Sequence, residues 1–134
     1  MDYYMNMENC VSRLYAEWIK YSKIVVAIDF DDTINDFHSK GHDYTLVIEL
    51  VKLIQEDAHI VVFTASSINR YQEISDKIKK MGIRNFTIND SPIKLHSDKH
   101  SKIYFNILLD DRAGLYSAYT TLKLAYEKLK GERI

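Results

Sequence analysis

Four short apolar segments alternate along the chain with longer segments whose apolar positions recur every three or four residues. The apolar segments are Ile24–Asp29 and residues 60–64, 85–89 and 107–110. Three of them consist almost entirely of Val, Ile, Leu and other apolar residues, which is typical of strands buried on both faces of a parallel sheet. The pattern predicts four strands.

The intervening segments show a helical period. They cover residues 43–57, 67–81 and 112–130, and Gly82 and Gly131 follow the second and third, where a glycine commonly ends a helix. The predicted apolar face of the first is Leu46, Leu50, Leu53 and Ile54, and that of the second is Ile68, Tyr71, Ile74, Ile78 and Met81. Strands alternating with helices predict an α/β fold, a three-layer Rossmann-like sandwich around a small parallel sheet with right-handed crossovers.

An additional apolar stripe precedes the first strand and predicts a helix within residues 1–22, ahead of a core of residues 23–134. The stripe consists of Tyr4, Met7, Val11, Leu14 and Trp18. Packing of this helix on its own sheet is the simpler interpretation. The alternatives are a subunit interface, which would make the protein a homo-oligomer, and a lid over the functional site.

Composition and charge exclude several classes of protein. A chain of 134 residues with 46% hydrophobic and 28% charged residues is expected to form one globular domain. Its single cysteine excludes an internal disulfide framework and a cysteine-based metal cage. A net charge of −1 gives no basic field for duplex nucleic acid. No apolar run approaches the ~20 residues of a membrane span, and no secretory signal is evident, so a cytoplasmic protein without a membrane partner is expected.

Five carboxylates follow two of the predicted strands. Asp29, Asp31 and Asp32 follow the first strand, and Asp110 and Asp111 follow the last. The carboxyl ends of parallel strands meet at one edge of a sheet, where these like charges would repel one another. A hard divalent cation such as Mg²⁺ would offset the repulsion. Helix capping explains single acids after a strand, but hardly five of them at two strand ends.

The spacing of Asp29 and Asp31 suits a division of labour between two carboxylates. One can attack an electrophile while the other transfers protons. Thr64, at the end of the second predicted strand, adds a hydroxyl group. A phosphoryl substrate would also need a cationic side chain, and the candidates before the last strand are Lys94, Lys99 and Lys102.

Three segments resemble motifs of the haloacid dehalogenase superfamily. IVVAIDFDDTI, residues 24–34, is similar to its first motif, a hydrophobic strand followed by Asp-x-Asp-x-Thr, and IVVFTAS, residues 60–66, is similar to its second. SKIYFNILLDDRAG, residues 101–114, resembles the third and fourth motifs, a lysine and a pair of acids. The segments between these motifs leave no room for a cap domain. The resemblance therefore implies a small capless member with a HAD-like fold.

The resemblance implies a role for each matching residue. Asp29 would be the nucleophile that forms an aspartyl-phosphate, and Asp31 would protonate the leaving oxygen and then activate water. Thr64 and Lys102 would bind the phosphoryl oxygens, with Lys99 and then Lys94 as alternatives to Lys102. Mg²⁺ would be held by Asp29, Asp110 and the backbone carbonyl of Asp31. Asp111 would be either an outer-shell metal group or the partner that orients Lys102.

Four residues beside the motifs are candidates for substrate contact: Thr33, Ser66, Lys99 and Arg112. Thr33 is also expected to hold the loop after the first strand. Asp32 stands where the family often has glycine, so we expect it to adopt a turn conformation, which Asp tolerates better than most residues.

The resulting expectation is a Mg²⁺-dependent phosphohydrolase acting on a phosphorylated small molecule, with a nucleotide or a nucleotide-derived metabolite favoured. Tyr44 and Tyr71, at predicted helix starts near the site, could stack on a base. One alternative is a HAD-fold binding module that sequesters a nucleotide signalling molecule with little turnover. Another is a phosphatase of polynucleotide 3′ ends or of phosphoproteins.

Overall fold

The computed structural model of the protein describes residues 1–93 and 103–134 and has a parallel sheet flanked by helices. The strands are β1 (Ile24–Asp29), β2 (Ala58–Phe63), β3 (Phe86–Ile88) and β4 (Ile107–Leu109). The helices are α1 (Met7–Tyr21), α2 (Thr45–Ile54), α3 (Tyr71–Lys80) and α4 (Leu115–Lys130). The strand order is β3-β2-β1-β4, and every pair is parallel. The predicted α/β fold is confirmed.

The register brings the carboxyl ends of the central strands level with one another. Ile28 of β1 is aligned with Val62 of β2 on one side and with Leu109 of β4 on the other. Beyond the strand, the Phe30 amide still donates to the Phe63 carbonyl at 3.0 Å. The segments that follow β1, β2 and β4 therefore begin at the same edge of the sheet.

The two faces of the sheet are covered differently. Ile24, Val26 and Ile28 of β1 belong to the main core, together with buried side chains of all four helices. On the other face, β1 and β2 contribute Val25, Ala27 and Val61, packed against Phe63, Ile93, Ile103, Phe105 and Leu108. These layers agree with a Rossmann-like sandwich. On this second face, however, the described side chains that pack on the core residues come from β2, β4 and the β3–β4 connection, and none comes from a helix.

The predicted apolar faces of two helices need correction. The buried face of α2 is Val47, Leu50, Val51 and Ile54, whereas Leu46 and Leu53 are exposed. Seven of the ten residues of this helix are apolar, so its sequence contains two competing stripes. Ile68 is also exposed, because residues 68–70 form a 3₁₀ turn ahead of α3 instead of its first turn.

Glycines end two helices as predicted. Gly82, after α3, has φ = 98°, and Gly131, after α4, has φ = 73°. Both values lie in the left-handed region, which glycine adopts without steric cost. No helix in residues 1–93 or 103–134 combines the length and the apolar character needed to cross a membrane.

Helix α1 packs on the core of its own domain. Leu14 and Trp18 are fully buried and belong to the main core cluster. The Trp18 indole donates to the Asp57 carbonyl at 2.9 Å, and its ring lies 5.5 Å from that of Tyr126 in α4. These contacts support the simpler interpretation of the N-terminal stripe, and a subunit interface stays a prediction.

Candidate active site

Three of the predicted metal ligands come together at the carboxyl edge of the sheet. Asp29 ends β1, and Asp110 and Asp111 follow β4 directly. Because Ile28 is aligned with Leu109, the residues that follow these two lie side by side. One carboxylate oxygen from each of the three lies within 4.8 Å of the others. Such a group of hard oxygen donors fits Mg²⁺.

The electrostatics of Asp29 reflect this crowding. Burial, followed by the negative charge of Asp110 and the contact with Asp111, raises the pKa of Asp29 to about 7. The hydrogen bond from Thr33 lowers this pKa, but by less. The shift means that the ionised form of Asp29 is poorly stabilised by the protein alone. A cation held among these carboxylates would stabilise it.

Thr33 joins the loop after β1 to the loop after β4. Its side chain is fully buried, and its hydroxyl oxygen accepts a hydrogen bond from the Asp111 amide at 3.0 Å. The hydroxyl proton is shared between acceptors on Asp111, at 3.0 Å, and Asp29, at 3.4 Å. Thr33 therefore holds the loops, as one expectation had it. The other expectation, a contact between Thr33 and substrate, stays a prediction.

Replacing Thr33 by Val should destabilise the protein without changing the volume of the side chain. The Asp111 amide would lose its acceptor, and a hydrogen bond of this kind contributes roughly 0.5–1.5 kcal/mol to stability. The free energy of unfolding in urea measures the loss. Thr121→Val is a matched control, since Thr121 is also buried and its hydroxyl donates to the Met7 sulfur, which is a weak acceptor. Equal destabilisation by the two substitutions would contradict this assignment of Thr33.

The loop that follows β1 fixes Asp31 through contacts that sequence reasoning missed. The Asn35 side chain donates to the Asp31 carboxylate at 3.0 Å, and the Asp32 amide donates to the Asn35 carbonyl at 2.7 Å. Asp32 has φ = 64°, the turn conformation expected where the family often has glycine. Its carboxylate lies 3.0 Å from the His38 ring. In the sequence, only the position of Asn35 four residues after Asp31 hinted at this arrangement.

The end of β2 is held by Asn89, another residue that the sequence did not single out. The Thr64 amide donates to the Asn89 side-chain oxygen at 3.0 Å, and the Asn89 amide group donates back to the Thr64 carbonyl at 2.6 Å. Asn89 has φ = 51°, a conformation that Asn adopts more readily than most residues. The pair fixes the backbone that presents the Thr64 hydroxyl.

A cavity of about 310 Å³ opens over these residues. Six predicted site residues lie in its wall: Asp29, Asp31, Thr64, Asp110, Asp111 and Arg112. His38 also contributes to the wall. Ser66 is not among the wall residues; its hydroxyl accepts a hydrogen bond from Arg70 at 3.3 Å. The candidate lysines Lys94, Lys99 and Lys102 lie outside the described residues.

Comparisons with known proteins return no matching family model, no matching curated protein and no matching solved structure. The assignment to the haloacid dehalogenase superfamily therefore stays a prediction from motifs.

Proposed function

We propose that the protein is a Mg²⁺-dependent phosphohydrolase of the haloacid dehalogenase type, in which Asp29 accepts the phosphoryl group of a phosphomonoester. The observation that carries the proposal is the group of three carboxylates within 4.8 Å of one another, in a cavity that also contains Asp31. A cluster of acids alone would repel an anionic substrate. The proposal therefore requires the cation as well as the nucleophile.

The donor set supports Mg²⁺ as this cation. Asp29, Asp110 and Asp111 would hold it through carboxylate oxygens, and the pKa of Asp29, raised to about 7 chiefly by burial and by Asp110, indicates a site short of positive charge. When bound, the ion would supply positive charge to the oxygens of the phosphoryl group. Asp31 would contribute its backbone carbonyl rather than its carboxylate.

The two steps of the reaction divide between Asp29 and Asp31. An Asp29 carboxylate oxygen attacks phosphorus, the bond from phosphorus to the leaving oxygen breaks, and Asp31 donates a proton to that oxygen. Asp31, now ionised, takes a proton from water as the water attacks the aspartyl-phosphate. The bond from phosphorus to the Asp29 oxygen breaks, inorganic phosphate leaves, and both carboxyl groups return to their starting states. The hydrogen bond from Asn35 orients Asp31 for both proton transfers.

Other side chains in the wall would hold the phosphoryl group. The Thr64 hydroxyl can donate to one of its oxygens, and Arg112 offers a cation at the end of β4. Lys102 remains our proposal for the lysine of the family, with Lys99 and Lys94 as alternatives. Hydrogen-bond donors already in position before the reaction stabilise charge that develops in the transition state.

The proposal is tested by measuring phosphate release from nucleotides, sugar phosphates and phosphopeptides, with and without Mg²⁺. We expect at least one class to be hydrolysed, and chelation of the metal to slow turnover roughly 100-fold or more, because several kcal/mol of charge stabilisation are lost. Adding Mg²⁺ back should restore the rate. Asp76→Asn, which changes an exposed acid on α3, is the control for removal of a negative charge and should respond to chelation and to Mg²⁺ as the wild type does.

Three outcomes would contradict the proposal. A protein that releases no phosphate from any class in Mg²⁺ is not this enzyme. A nucleotide that binds tightly in calorimetry and is recovered intact would favour the binding module instead. Hydrolysis that resists chelation would leave an enzyme, but one without the proposed metal.

A further inference from the structure

A second cavity lies beside the acidic one, between the amino-terminal ends of α2 and α4. Its volume is about 460 Å³, and its wall includes the aromatic side chains of Tyr44, Tyr116 and Tyr119 and the aliphatic side chains of Leu46 and Val47. We call it the aromatic groove. Cavities of roughly 300–1,000 Å³ lined by apolar and aromatic groups commonly bind small organic ligands.

Two side chains of this groove are far more exposed than the packing of the fold requires. Leu46, in the first turn of α2, is 71% exposed, and Tyr116, in the first turn of α4, is 84% exposed. Single exposed apolar residues are ordinary in a folded protein. Here two of them come from different helices and border the same cavity, so together they offer an apolar surface to a ligand.

The aromatic groove borders the acidic cavity. Asp32 lies in the wall of both. The Tyr44 hydroxyl donates to Asp36 at 3.4 Å, and burial together with the charges of Asp36, Asp32 and Asp111 raises the pKa of its phenol. The Tyr44 ring therefore borders the groove while its hydroxyl lies in the field of the acidic residues.

We infer that the aromatic groove receives the leaving group of the substrate, and that the substrate is a nucleoside monophosphate whose base stacks on the tyrosine rings. The inference rests on the proposed function, since it joins a phosphoryl site to a neighbouring aromatic surface. Stacking suits this wall because every base presents a flat π-face to an aromatic ring. Asp32 and Asp43 in the wall disfavour the additional phosphates of a polynucleotide.

The test compares kcat/KM for adenosine monophosphate with kcat/KM for glycerol phosphate, which has no aromatic group. In Tyr116→Ala the ratio of the two values should fall roughly tenfold, because a base–aromatic stack is lost. Leu46→Ser should lower the ratio in the same direction. Tyr21→Ala should leave the ratio at its wild-type value, since Tyr21 is an exposed tyrosine that borders a different cavity.

An unchanged ratio in both groove variants, with an active wild type, would overturn the inference and leave the phosphohydrolase standing. A wild type that hydrolyses another class of phosphomonoester but neither of these two would also overturn the inference, whereas one that releases phosphate from no class would contradict the proposed function. The groove would then be judged by calorimetry with adenosine monophosphate. Binding that is roughly tenfold weaker in Tyr116→Ala supports it, whereas equal affinity or no binding overturns it. Thermal melting confirms that each variant is folded.

Discussion

Replacing Asp29 by Asn should abolish phosphate release, with a loss of at least roughly a thousandfold in kcat, because the amide cannot serve as the nucleophile. Asn has nearly the same shape as Asp, so the loop that Thr33 ties to Asp111 keeps its packing. Initial rates of phosphate release at saturating substrate and Mg²⁺ measure the effect. Asp76→Asn, with the same chemical change at an exposed position on α3, should retain full activity.

The loss of activity in Asp29→Asn should not come from unfolding. In the metal-free protein the pKa of Asp29 is raised above its ordinary value to about 7, chiefly by burial and by Asp110. A carboxyl group whose pKa is raised in the folded state makes folding more favourable at low pH, and this contribution is lost as the pH rises through about 7. Metal-free Asp29→Asn should therefore be at least as stable as the wild type at pH values above 7, as thermal melting can measure.

Clear activity in a clean preparation of Asp29→Asn would show that another group attacks phosphorus. Asp31→Asn separates the two roles further, because it removes the proton donor and leaves the nucleophile. Such a variant should still form the aspartyl-phosphate from an activated ester with a good leaving group, and should hydrolyse it slowly. Acid-quenched protein carrying phosphate would identify that intermediate.

The residues at the carboxyl edge of the sheet were predictable from the sequence, because their positions depend mainly on the order of the strands. Short runs of β-branched residues identify buried parallel strands, and such strands align their carboxyl ends. The grouping of Asp29, Asp110 and Asp111 follows from that alignment. The conformation of Asp32 was predictable for a local reason, since it occupies a turn position and Asp tolerates positive φ.

Other features depend on packing that no periodicity encodes. Helix α2 has apolar residues on more than one side, so only its contacts with the sheet decide that Val47 and Val51 are buried while Leu46 is exposed. The contacts of Asn35 and Asn89 with the site arise from loop conformations, which bring together groups up to 25 residues apart in sequence. The exposed Leu46 is instructive, because the wrong prediction of its burial hid its place in the aromatic groove.

Replacing Trp18 by Ala should produce the largest loss of stability of any substitution considered for this fold. The side chain is fully buried, packs on Tyr126 and gives its indole hydrogen to the Asp57 carbonyl. Truncation of a buried aromatic residue costs roughly 3–5 kcal/mol, because the apolar contacts are lost and a cavity is left. The free energy of unfolding from urea or thermal denaturation measures this loss.

Ile19→Ala supplies the matched comparison for Trp18→Ala, since Ile19 is the next residue on α1 and is 57% exposed. Exposed positions of this kind change stability by about 0.5 kcal/mol or less. The pair also separates the two interpretations of the N-terminal stripe. If α1 packs on its own core, Trp18→Ala lowers the stability of the monomer independently of protein concentration. A loss that depends on concentration, or that follows Ile19→Ala instead, would mean that the exposed side of α1 binds a second copy of the chain.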